Sequence, residues 1–132
     1  MTRVVRIPLS LKRNSTFVEE VYVEEVGPFR FILSTDTTTT SIDLRVASQI
    51  GLEPKEEKKG FGLGGDIPVY PARLKSLRIG DFEVKDLEVL IADLSHVSAR
   101  LGVEVGGVLA CDVLKRYKAV IDYGKKELLL RK

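Results

Sequence analysis

Few residues in this chain have the types and spacing for chemistry. The stretch Phe31 to Leu44, FILSTDTTTTSIDL, sets one carboxylate, Asp36, among hydroxyls directly after an apolar run. A carboxylate there can serve as general acid or base, and the neighbouring hydroxyls can hold a water or a backbone group. Gly60 to Gly65, GFGLGG, has the spacing of a dinucleotide loop. That chemistry needs a strand before the glycines and a helix after them, so that helix amides meet phosphate. Charged KEEKK precedes them, and Pro68 and Pro71 follow, which opposes a helix. Glycines at a hairpin tip are the better reading. His96 is the only histidine and Cys111 the only cysteine. They cannot fill a four-ligand zinc site, so no metal and no cofactor is expected. A Ser34-His96 hydrolase lacks any G-x-S-x-G elbow. His96 reads as a surface or loop residue and Cys111 as a small buried apolar one.

The elements that must position Asp36 are mostly strands. Val4, Val5, Ile7 and Leu9 alternate, with Pro8 at an edge or an end. Thr16 to Val26 mixes β-branched residues with acids, as a half-exposed strand does. Gly27-Pro28 is expected to turn, and Phe29 to Leu33 to form a buried strand. Ile42, Val46 and Ile50 recur at helical spacing and Gly51 can end a short helix. Glu53 to Lys59 reads as a solvated loop or strand end. Leu74 to Ile91 predicts a hairpin about Gly80-Asp81, pairing Ile79 with Phe82, Leu77 with Val84 and Leu74 with Leu87. Both arms change alternation phase together, which predicts a shared bend or bulge. Val113 to Tyr117 predicts a second short helix. Ala119 to Asp122 and Glu127 to Leu130 predict a closing hairpin. The sum is a mostly β chain with one or two short helices.

Bulk properties narrow the class. At 132 residues and 44% hydrophobic content, the chain is expected to form one domain, residues 1–132, with a filled core. No apolar run approaches the roughly 20 residues of a membrane span. The basic start MTRVVRIPLSLKR has no continuous apolar signal region. A soluble, cytoplasmic protein is therefore expected. Its 21 basic and 19 acidic residues nearly cancel, which gives no electrostatic case for nucleic acid. Side-chain amides are confined to Asn14 and Gln49 while Lys and Glu abound, a bias of heat-adapted proteins.

Taken in order, GPFRFIL, the glycines near Gly62 to Gly65, SLRIGDFEV, VLACDVL and AVIDYGKKELLL resemble the retropepsin-like aspartic proteases, over nearly the whole span from Val4 to Leu130. The resemblance implies a closed, single-lobe antiparallel β fold and a homodimeric endopeptidase acting on peptide or protein. It implies a flap at Gly62, Leu63, Gly64 and Gly65, and a second motif at Gly107, Val108, Leu109 and Ala110. In that family the catalytic Asp of Asp-Thr-Gly directly follows an apolar strand, and an apolar residue lies eight positions on. Counting back eight from Ile42 reaches Ser34, which also directly follows Leu33. In that register Ser34, Thr35 and Asp36 occupy the Asp-Thr-Gly position. Serine replaces the acid, Thr35 matches the threonine that binds the paired loops, and Asp36 replaces the glycine. A second register, Asp36-Thr37-Thr38, supplies the acid but no glycine, and brings Ile42 two residues early. The first register implies impaired catalysis, leaving a peptide-binding or dimerisation module as the alternative role. Ala110 also stands where the second motif has glycine.

Overall fold

The computed structural model describes residues 3–54, 58–60 and 67–132, with the backbone alone at 58–60 and 67. The β-branched and aromatic runs become strands β1 (Val4–Pro8), β2 (Ser10–Lys12), β3 (Ser15–Val23), β4 (Val26–Leu33) and β5 (Ser41–Asp43). Helix α1 (Leu44–Gln49) follows, then strands β6 (Lys58–Gly60), β7 (Ile67–Ile79) and β8 (Phe82–Ala92). Helix α2 (Ser95–Leu101), strand β9 (Gly107–Leu109), helix α3 (Cys111–Arg116) and strands β10 (Val120–Asp122) and β11 (Glu127–Arg131) complete the chain.

Eight strands pair in the order β2-β3-β4-β9-β5-β8-β7-β6. A further pairing of β3 with β7 links that path back on itself. Strands β1, β11 and β10 form a separate sheet. Pairing is mostly antiparallel, with β4–β9 and β5–β8 parallel. One core joins Ile7, Phe31, Ile42, Leu74, Phe82 and Leu128, and a smaller one gathers Phe17, Leu94, Val105 and Val108. Among the described residues no helix is long and apolar enough to cross a membrane.

The β7–β8 hairpin has the register expected, with Ile79 opposite Phe82, Leu77 opposite Val84 and Leu74 opposite Leu87. The ladder skips Lys75 and Asp86 and resumes unshifted beyond them. Asp86 is left-handed, at φ 52°. One residue thus drops out of alternation on each strand, and Leu74, Leu77, Val84 and Leu87 all stay buried. Asp43 starts α1 by accepting the Arg45 N–H at 3.1 Å, so the helix begins two residues after Ile42.

Two local expectations are corrected. The turn after β3 falls at Glu24-Glu25, not at Gly27-Pro28, which lies inside β4. Glu24 and Glu25 take φ of 50° and 66°, uncommon for residues with a side chain. Ser76 of β7 holds Glu24 there. The Glu24 N–H donates to the Ser76 carbonyl at 3.0 Å, and its carboxylate accepts the Ser76 N–H at 2.7 Å. The fold also has a third helix, α2. It spans seven residues and turns only Val97 and Leu101 toward the smaller core, too few for a periodic signal. Asp93 accepts the Ser95 N–H at 2.9 Å, and Gly102 at φ 68° ends the helix. Hydrogen bonds from Ser95, and more weakly the charges of His96 and Arg45, hold the Asp93 carboxyl below its ordinary range despite some burial. His96 itself lies exposed on α2.

Glu19 of β3 ties β2 to β4. It accepts from the Ser10 hydroxyl and from Arg30 Nε at 2.6 Å. Burial is the largest influence on Glu19 and opposes its charge. The Ser10 and Arg30 hydrogen bonds, with the charges of Arg30 and Lys12, outweigh it and lower its pKa. A carboxylate lowered in the folded state stabilises above its unfolded pKa, about 4.3 for Glu, and that contribution disappears as pH falls through the folded value. Unfolding free energy, followed by urea titration at successive pH values, is therefore expected to fall on acidification below about pH 4.3. The Glu19→Gln variant is expected to show a shallower fall. Equal slopes would rule Glu19 out as a contributor.

Candidate active-site loop

The site is built where two parallel strands end together. Phe31, Ile32 and Leu33 of β4 pair with Gly107, Val108 and Leu109 of β9. Gly107 makes that approach possible. A Cβ there would stand 2.5 Å from the Phe31 ring and 2.5 Å from the Ser41 carbonyl oxygen. Ser34 leaves β4 directly, its N–H donating to the Leu109 carbonyl at 3.0 Å. The loop from Ser34 then runs over the start of α3 and enters β5 at Ser41.

Hydrogen bonds fix its course. The Thr37 carbonyl accepts the Cys111 N–H at 2.9 Å, and the Thr38 carbonyl accepts the Asp112 N–H at 3.1 Å. Thr40 is fully buried. Its N–H and hydroxyl donate to the two Asp112 carboxylate oxygens at 2.9 and 2.6 Å. Its hydroxyl also accepts the Ala110 N–H at 3.2 Å. Of the four threonines, Thr37 and Thr38 thus serve the loop's structure through their carbonyls and Thr40 through its amide and hydroxyl.

Ser34, Thr35 and Asp36 sit at the head of the loop. The half-buried Ser34 hydroxyl shares a hydrogen bond of 2.9 Å with the buried Thr37 hydroxyl. Thr35 and Asp36 are exposed. Among the described residues, no histidine and no carboxylate bonds to Ser34, so it has no base to activate it. Cys111 departs from expectation. It is half-buried at the first turn of α3, and its thiol donates to the Thr35 carbonyl at 2.9 Å. A helix start beside a loop exposes a side chain that an apolar context in sequence suggests is buried.

The second-motif residues Gly107, Val108, Leu109 and Ala110 are all buried against this loop. Val108 and Gly107 also pair with Ser41 and Ile42 of β5, so β9 is the strand that joins both ends of the loop. Ala110 is extended, at φ −112°, where alanine fits as readily as glycine. Gly62, Leu63, Gly64 and Gly65 lie outside the described residues. Their flanking arms pair antiparallel, Gly60 with Ile67 and Lys58 with Val69.

Two positioning residues escape a reading of types and spacing. Asp112 carries the bonds to Thr40. Asp43, 1% exposed, accepts from the Leu94 N–H at 2.7 Å and from Arg45 Nε at 2.7 Å. Arg45 reaches on to Glu104 at 2.6 Å. Its pKa is raised, first by the Asp43 hydrogen bond and charge and then by Glu104. The only sequence signal was an acid inside an otherwise apolar run, SIDL and ACDVL. Replacing Asp112 with Ala strands the Thr40 N–H and hydroxyl, and is expected to cost about 2–3 kcal/mol. Chemical denaturation measures this, and a loss within about 0.5 kcal/mol would show that the loop does not depend on Asp112.

A cleft of about 390 Å³ lies elsewhere, lined in part by Glu19, Arg30, Asp43, Arg45 and Glu104. Its charges pair with one another, and it includes no residue of the Ser34 loop.

A family model described as aspartyl protease matches residues 19–113, from β3 into α3. The fold is similar to a retropepsin-like aspartic protease from Rickettsia conorii, with TM-score 0.67 and 22% identity over 99% of this chain and 92% of that one. It is similar to EIAV protease complexed with the inhibitor HBY-793, with TM-score 0.55 and 17% identity over 84% and 93%. It is also similar to the retroviral protease-like domain of Ddi1 from Leishmania major, with TM-score 0.56 and 13% identity over 96% and 89%. A search of curated proteins finds no match. The pairing of β4 with β9 that brings Ser34 to the Leu109 carbonyl belongs to this shared fold, and the chain belongs to the aspartyl protease family, in its single-lobe, retropepsin-like form.

Proposed function

We propose that the chain is a homodimeric retropepsin-like protease homologue whose peptide-bond hydrolysis is impaired. The observation that carries this is the residue directly after β4. Ser34 holds the place at the strand end, bonded to Leu109 and Thr37, and brings a hydroxyl where the chemistry needs a carboxylate. Aspartic proteolysis uses two carboxylates sharing one proton, one as base toward water and one as acid toward the carbonyl. A single-lobe chain contributes one of them, so the partner subunit must contribute the other by symmetry. Two serine hydroxyls can hold a water but do not take its proton near neutral pH. What remains is a scaffold that binds an extended peptide by strand addition, or one that serves as a dimerisation module.

A second reading keeps hydrolysis and makes Asp36 the acid. It is favoured by the exposure of Asp36, whose carboxylate has no hydrogen-bond partner among the described residues. Incubation of the purified chain with an unstructured protein, across acidic to neutral pH, tests both. No cleavage, with a dimer in sedimentation, is the expected result. Cleavage blocked by an aspartic-protease transition-state analogue would assign the acid to Asp36 and end the first reading. A chain that stays monomeric would end the dimer.

A further inference from the structure

The near balance of charge over the whole chain hides a local excess. The sheet β1-β11-β10 turns one face to the core through Val5, Ile7, Leu128 and Leu130. On its other face Leu129 lies between Arg6 and Val120, and Val4 lies opposite Arg131. Val4 and Val120 are 41% and 44% exposed, and Tyr123 at the hairpin tip is 60% exposed. Around this apolar centre stand exposed cations: Arg6 and Arg131 on the strands, and Lys125 and Lys126 at the hairpin tip. Of the two acids on these strands, one is matched by a cation, which it occupies in turn, and the other only by a backbone amide. Glu127 pairs with Arg6 at 3.2 Å, and Asp122 accepts the Lys125 N–H at 3.0 Å.

From this we infer that the outer face of the terminal sheet is a docking surface for an acidic, amphipathic polypeptide segment. An apolar centre ringed by polar groups is the general plan of a protein interface. Here the ring is cationic, so the complementary partner sets aliphatic side chains among Asp and Glu. A nucleic acid would use the cations but not the valines, and the patch offers it one exposed aromatic, Tyr123, to stack a base. A second copy docked face to face would set the cationic rim against itself. An anionic bilayer favours apolar side chains that protrude on loops or a helix, whereas Val4 and Val120 lie on paired strands of a sheet.

The probe is a fluorescein-labelled synthetic peptide of mixed Glu, Asp, Leu and Val, about 14 residues long, enough to cross strands about 4.8 Å apart. Fluorescence anisotropy is read with the full chain at low and at physiological salt. Binding is expected to weaken with salt. The exposed-turn variant K125E/K126E is expected to lose about tenfold in affinity, and Val120→Ser severalfold. Both sites are exposed, and unchanged urea midpoints would confirm that the variants fold. Peptide binding untouched by both variants would place it elsewhere, including the Ser34 loop, and overturn the inference. So would tighter binding of a thymidine oligonucleotide, binding to phosphatidylserine vesicles lost in Val120→Ser, or dissociation of a dimer by Val120→Ser. None of these readouts depends on whether Ser34 or Asp36 supports hydrolysis.

Discussion

The double substitution Ser34→Asp, Asp36→Gly is expected to yield a peptidase at least about three orders of magnitude more active than the unmodified chain. The scaffold for it is already present. The backbone at position 34 is held by the Leu109 carbonyl, and the Thr37 hydroxyl lies 2.9 Å from the Ser34 oxygen, ready to donate to a carboxylate. Both changes are needed. Ser34→Asp alone would leave a second acid two residues away on the same loop, and in the proposed dimer four carboxylates would crowd the axis. Asp36 is not among the residues with positive φ, so glycine at 36 serves close approach between loops more than backbone conformation. A fluorogenic peptide assay at acidic pH, with an aspartic-protease transition-state analogue as control, measures the gain. A folded, dimeric double variant with no inhibitable activity would show that the loop is no longer arranged for catalysis, whatever residue it carries.

Gly107→Ala is expected to destabilise the fold by about 3 kcal/mol or more, the upper end of overpacking in a filled core. The new methyl would stand 2.5 Å from the Phe31 ring and from the Ser41 carbonyl oxygen. Phe31 is fully buried and cannot swing away, and the Ser41 carbonyl is backbone paired within the sheet. Relief requires separating β9 from β4 or β5, which would also move Ser34 off the Leu109 carbonyl. Gly124→Ala is the control. Its methyl would meet only the Asp122 side chain at 3.4 Å, and the cost is expected to stay within about 0.5 kcal/mol. Urea unfolding of the two variants decides the matter. Equal stabilities would mean that β9 shifts freely and that Gly107 is not the packing point of the site.

Much of this architecture is written locally. The β7–β8 register follows from alternation on both sides of Gly80-Asp81, down to the matched interruption at Lys75 and Asp86. Helix α1 follows from the spacing of Val46 and its neighbours, and the closing hairpin from two short apolar runs about Gly124. The order of these pieces, with a serine directly after Leu33, was enough to indicate the family and to question its catalytic acid.

What the chain could not show by itself depends on partners distant in sequence. Glu24-Glu25 carries no ordinary turn signal, and Ser76 makes it a turn from 52 residues away. Asp112 looks like one more acid in an apolar motif until Thr40, 72 residues earlier, is found donating twice to it. Cys111 reads as core and is half-exposed, because its place at a helix start is set by the loop it caps. Spacing and alternation fix which residues point the same way along one element. Which elements meet, and so which hydroxyl finds a carboxylate and which carboxylate finds none, is decided only when the strands close.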